Sequence, residues 1–183
     1  MFTEQILKSI LSLKAFSAAK SAHTPALEGI HISVNAETNT ITALATDRYA
    51  AARMVITVPE VEGTSWERNV SIATLNAALA TVKAGGPVSV FPESYMPEFP
   101  VYVSTAIDKC LNYEDAEHAG DFNAKYLGAI AKVNVGGDKS GRWTIRPVHH
   151  GGRVILTATA TYGNYDVNEY EVAVAVMPLF TRN

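Results

Sequence analysis

Cysteine is almost absent from this sequence of 183 residues, where Cys110 stands alone. One cysteine closes no internal disulfide, and no catalytic Cys/His signature surrounds it. The thiol therefore reads as a partly buried side chain in a reducing, cytoplasmic setting. A basic excess is missing too: 15 Lys and Arg stand against 18 Asp and Glu, for a net charge of -3. Generic nucleic-acid binders carry the opposite balance, so any contact with DNA must be local. No apolar run approaches the roughly 18 residues of a membrane span. The opening Met1-Phe2-Thr3-Glu4-Gln5 lacks the basic region of a signal peptide. Nor is there a P-loop, a G-x-S-x-G elbow or a G-x-G-x-x-G turn, which leaves no reaction to assign and the expectation that the chain is not an enzyme.

What is present is ordinary globular material, 48% hydrophobic and 18% charged, which excludes disordered, collagen-like and disulfide-scaffold classes. From Thr3 to Lys20 the residues Ile6, Leu7, Ile10, Leu11 and Leu13 recur at helical spacing, with Glu4, Lys8, Ser12 and Ala15 on the other side. After Pro25 the period becomes two. Ile30, Ile32 and Val34 alternate with His31 and Ser33, a turn at Glu37-Thr38-Asn39 follows, and strands continue over 41–45 and through Met54, Ile56 and Val58.

The segment 59–68, with Pro, Gly, Thr and Ser among acids, reads as a loop. A second helix carries Leu75, Ala78, Leu79 and Val82 and stops at Gly85-Gly86-Pro87. Strands are expected at 88–91 and 101–104, separated by Pro92, Pro97 and Pro100. Asn123 caps a third helix whose Tyr126, Leu127, Ile130 and Val133 should face inward. Strands at 143–148, 154–161 and 169–176 complete the chain. The plan is α+β, with helices on one face of antiparallel sheet and three helix-plus-strand units starting near Thr3, Thr74 and Asn123.

Two polar clusters carry little chemistry. Glu114, Asp115, Glu117, His118 and Asp121 lie in a loop without an i, i+4 pair, the pattern of a solvated segment. His149 and His150 are neighbours on a strand and point to opposite faces, so they cannot chelate one ion together. No metal and no cofactor is expected.

Three stretches resemble the bacterial beta sliding clamp. Residues 24–32, Thr-Pro-Ala-Leu-Glu-Gly-Ile-His-Ile, with 43–53, Ala-Leu-Ala-Thr-Asp-Arg-Tyr-Ala-Ala-Ala-Arg, are similar to the opening of that family's middle domain. Residues 121–127, Asp-Phe-Asn-Ala-Lys-Tyr-Leu, are similar to the start of the last helix of its final domain, and 174–179, Val-Ala-Val-Met-Pro-Leu, to its carboxyl end. The likeness covers residues 1–58 and 119–179 well, and 68–118 only as a generic second half of a clamp domain.

The resemblance implies a sliding-clamp fold of about three half-domain repeats: a clamp-type domain at 1–118, with halves at 1–66 and 67–118, and an additional half-domain at 119–183. It implies a DNA polymerase processivity factor that forms a ring around duplex DNA and docks short peptides of replication or repair proteins, with a clamp loader as a further partner. Since clamps of six halves close as pairs of chains, three halves would close as a homotetramer. The small size points to a phage-type replication module. The alternative is a regulator or decoy that keeps the peptide groove and encircles nothing.

Carried over position by position, the peptide groove falls on Thr46, Arg48, Tyr49, Ala51, Ala175, Met177, Pro178 and Leu179. An adaptable Met wall, a rigid Pro edge and an aromatic rim are what such a groove needs, although Met177 to Leu179 equally suit anchoring a last strand in the core. Ala50 and Ala51 depart from the Arg and Leu frequent in the family, which implies a shallower pocket, and the tail at 180–183 runs past the family's usual end. On the helices, Lys8, Lys83, Lys125 and Lys132 are the candidates to face DNA phosphates. Glu4 partly cancels Lys8, so the lining is weakly basic.

Overall fold

The computed structural model describes residues 2–19, 23–92, 96–100, 102–118, 120–136, 142–150, 152–163 and 168–178. Helix α1 (Glu4–Ser12) is opened by Thr3, whose Oγ1 accepts from the Ile6 amide at 3.2 Å. A 3-10 turn at Leu13–Phe16 prolongs it. Strands β1 (Gly29–Asn35), β2 (Thr40–Thr46), β3 (Ala50–Thr57) and β4 (Trp66–Ser71) follow, then α2 (Ile72–Lys83), α3 (Tyr102–Leu111) and α4 (Ala124–Ile130). Strands β5 (Thr144–His150), β6 (Arg153–Gly163) and β7 (Glu169–Val176) end the fold.

All seven strands join one antiparallel sheet in the order β4-β1-β2-β3-β7-β6-β5. The β3–β7 pairing, with Ala50 opposite Val176, brings the first third of the chain against its last strand. The period of two then sorts side chains between faces. Ile30, Ile32, Ala43, Met54, Ile56 and Val174 point to the face covered by α1, α2 and α4. Leu44 and Ala173 point to the other, where Val103 and Ile107 of α3 meet them beside Leu27 and Phe99. Gly29 permits the start of β1: a Cβ there would lie 2.5 Å from the Val70 carbonyl oxygen and 2.8 Å from Met96 Cε.

The structure corrects the sequence reading in four places. Residues 88–91 form no strand, and 102–104, within the stretch 101–104 expected as a strand, open helix α3 instead. The β-branched run there is overridden because Val103, Ile107, Cys110 and Leu111 recur at i, i+4, i+7 and i+8. Burying two such aliphatic side chains against the sheet contributes roughly 3–6 kcal/mol, more than the ~1 kcal/mol span of strand propensity. The helices consequently cover both faces of the sheet. The segment read as a loop to 68 gives way at Trp66 to edge strand β4, whose Val70 is buried. Leu127 of α4 is 45% exposed, and α4 ends at Ile130, so Val133 is buried from the turn beyond the helix.

The outer edge of β5 is partly covered. Ala116 N–H donates to the Pro147 carbonyl and His149 N–H to the Glu114 carbonyl, both at 2.9 Å. The Arg146 guanidinium clips this strap through Asp115 Oδ1, with Nε at 2.8 Å, and Tyr113 stacks on His150 with ring centroids 4.5 Å apart.

Candidate peptide-docking site

The turn between β2 and β3 is built around Asp47. Its Oδ1 accepts from the amides of Tyr49 and Ala50, each at 3.0 Å, which closes the turn. Its Oδ2 accepts from the Tyr126 hydroxyl at 2.6 Å and from Lys125 Nζ at 3.2 Å. One carboxylate, its side chain only 9% exposed, thereby fastens the hairpin tip to α4. Burial and the bond to Asp47 both push the Tyr126 phenol far above its usual range, so it stays a donor. Thr46 Oγ1 donates to the Ala50 carbonyl at 2.8 Å and accepts from the Arg48 amide at 3.1 Å. Arg48 itself sits at φ 77, a left-handed conformation uncommon for a side chain of its kind.

Beside this turn lies the end of β7. Met177 N–H donates to the Tyr49 carbonyl at 2.8 Å and carries the β3–β7 pairing one step past the strand. Concavities open on either side. The first, of about 250 Å³, has one wall of Thr46, Arg48, Tyr49, Ala51, Ala175 and Met177. Its other wall comes from the α3 segment: Pro100, Tyr102, Val103, Ala106, Ile107 and Cys110. Arg53 locks that helix to the sheet, its NH1 lying 2.7 Å from Asp108 Oδ1 and 3.1 Å from Ser104 Oγ. The second concavity, about 370 Å³, lies toward α4 and includes Asp47, Asn123, Lys125, Tyr126 and Pro178. Tyr49 and Met177 border both, so the two form a groove that bends around the end of the sheet.

Six of the eight residues nominated from the sequence thus line one cavity, and Pro178 borders the adjoining lobe. Leu179 and the tail at 180–183 lie outside the described residues. The sequence reading missed Asp47 and the whole α3 wall, although the apolar stripe along 103–111 was there to be read. Burial pushes the Cys110 thiol up, the opposite of an activated nucleophile.

The lysines fare unevenly. Lys8 is paired with Glu4 at 2.7 Å and Lys125 with Asp47. Lys83 closes α2, and Lys132 stands in the turn just past α4 rather than on the helix expected to carry it. Neither has an ion pair among the described residues. Among those residues no group of three His, Cys, Asp or Glu could hold a metal ion, and no helix is long and apolar enough to cross a membrane.

No protein-family model and no curated protein matches the sequence. Solved structures do match the fold. The DNA polymerase sliding clamp from Bacillus subtilis superposes with a TM-score of 0.62 at 14% identity, covering 98% of this chain and 63% of that one. The fold is that of the bacterial sliding clamp. The DNA polymerase III beta subunit from Thermotoga maritima gives a TM-score of 0.58 at 12% identity, over 98% of this chain and 65% of its own. The Helicobacter pylori beta clamp in complex with diflunisal gives 0.56 at 11% identity, over 96% and 64%. The chain therefore spans a little under two-thirds of the length of these sliding clamps.

Proposed function

We propose that this chain is a sliding-clamp-like processivity factor, a non-enzymatic scaffold that docks short apolar peptides of a DNA polymerase or repair protein and assembles into a ring around duplex DNA. The observation that carries the docking half is the convergence of Thr46, Arg48, Tyr49, Ala51, Ala175 and Met177 on one apolar cavity. These residues come from two stretches more than a hundred positions apart in the sequence, both similar to segments of the sliding clamp. An apolar pocket with a few polar groups at its rim, continuous with a second lobe, suits an extended peptide offering alternate side chains.

The docking half is tested with Met177→Asp, which places a carboxylate on the saddle shared by both lobes. Binding of a fluorescent clamp-binding peptide should weaken at least about tenfold, in line with the cost of a charge in an apolar site. Unchanged affinity in a protein of wild-type thermal stability rejects the assignment.

The ring half draws on the fold and on the sheet's two terminal strands, since strand edges are templates for pairing with another copy. We propose that the division at 118/119 marks a repeat along the chain and not a boundary between separate domains, since one sheet and one core join the two sides. The count of half-repeats gives four copies per ring, whereas a chain spanning just under two-thirds of a clamp gives about three. The second reading, a non-encircling regulator that captures clamp-binding peptides, is favoured by two observations. The 114–116 strap already covers part of the β5 edge, and two of the four candidate lysines are neutralised by Glu4 and Asp47.

A further inference from the structure

We propose that Arg48 makes this groove selective for apolar peptides that carry an acidic group beside their apolar anchor, with the α3 wall confining that anchor. The inference rests on the peptide-docking reading and adds to it the chemistry of the guest. Arg48 is the one formally charged residue among those lining the first lobe, where everything else is aliphatic, aromatic, Thr or Cys. No ion pair within 4 Å occupies its guanidinium among the described residues. The adjacent carboxylate, Asp47, is turned toward Tyr126, Lys125 and two backbone amides. A cation at the mouth of an apolar cavity, with its nearest acid committed elsewhere, is complementary to a carboxylate held next to a buried hydrocarbon group.

The backbone adds a second argument. Position 48 is left-handed at φ 77, a conformation glycine adopts without steric cost and arginine does not. An arginine held there by the Thr46 and Asp47 hydrogen bonds is strained by its own Cβ, which points to the side chain as the reason for its presence. Opposite it, α3 narrows the lobe to about 250 Å³, small by the standard of small-molecule pockets and suited to one or two aliphatic side chains. Arg53, pinned to Asp108 and Ser104, is the positioning residue for that wall. The exposed rings of Tyr49 and Tyr102 flank the mouth.

The test uses the full chain and three fluorescein-labelled peptides, identical except for Asp, Asn or Lys next to a pair of leucines. At low salt the wild type should bind the Asp peptide about 2- to 5-fold tighter than the Asn peptide and the Lys peptide weakest, and the gap should close in high salt. Arg48→Lys should keep the order. Arg48→Gly should abolish the Asp-over-Asn preference while raising the thermal midpoint, because the strain is relieved; that rise excludes misfolding as the cause. Equal binding of the Asp and Asn peptides by the wild type, or a preference that survives in Arg48→Gly, overturns the inference and leaves peptide docking intact. Failure of all three peptides to bind overturns the docking reading along with it.

Discussion

Replacing Asp47 by alanine removes one acceptor and strands four donors. The Tyr126 hydroxyl is the costliest, since its residue is only 5% exposed and the phenol stays protonated. A buried donor left unpaired costs roughly 1–3 kcal/mol. The amides of Tyr49 and Ala50 lose the side chain that closes their turn, a capping loss of about 1 kcal/mol. Lys125 is mostly exposed, so its share is small. The expected loss is about 2–4 kcal/mol, or roughly 5–15 °C in melting temperature for a chain of this length. Asp47→Asn should cost less, because it keeps an oxygen for the turn. Urea denaturation of wild type, Asp47→Ala, Tyr126→Phe and the double variant gives the coupling directly, expected at about 1–2 kcal/mol. A loss under about 0.5 kcal/mol for Asp47→Ala, or strict additivity with Tyr126→Phe, refutes the role of this carboxylate as the link between hairpin tip and α4.

Two further outcomes follow from the sheet. His31 stacks on Phe99 with centroids 5.2 Å apart, and burial depresses its pKa below the usual 6.5 despite an opposing pull from Glu67. The folded protein then binds this proton less readily than the unfolded chain. The resulting stability is complete above about pH 6.5 and is lost as pH falls below it; His31→Gln should flatten the slope of melting temperature between roughly pH 7 and 5. An unchanged slope assigns the effect elsewhere. Gly29→Ala should destabilise by about 2 kcal/mol or more, since a Cβ 2.5 Å from the Val70 carbonyl oxygen forces β1 and β4 apart; thermal melting checks it, and a neutral result would mean that the edge strand yields freely.

Much of this fold was legible in the sequence where periodicity and caps agreed. Thr3 and Asn123 were read as helix starts and cap α1 and α4, and the alternation through Ile30, Ile32 and Val34 placed β1. The reading failed where local and tertiary signals diverged. Val101 to Thr105 carries strand-forming residues, and only the sheet face beneath Val103 and Ile107 makes a helix the better choice. Strand β4 was obscured by the polar residues of an edge: Glu67 is exposed, and Arg68, on the same face as buried Val70, is half-buried with its guanidinium donating to the Phe91 carbonyl. At the site, the residues of the β2–β3 turn and the β7 end were readable through their likeness to the clamp. The α3 wall was not, because that likeness is thinnest over 68–118. Asp47 escaped because its importance lies in partners nearly eighty residues away.

Processivity depends on encircling the duplex. The direct measurement loads the protein onto a nicked circular duplex, isolates the complex, and follows its retention after linearisation by one restriction cut, with sedimentation giving the copy number. A closed oligomer of three or four chains should stay on the circle and slide off the cut ends. A monomer at micromolar concentration, or equal loss from circle and linear DNA, contradicts the ring and leaves a groove that captures peptides without enclosing a duplex.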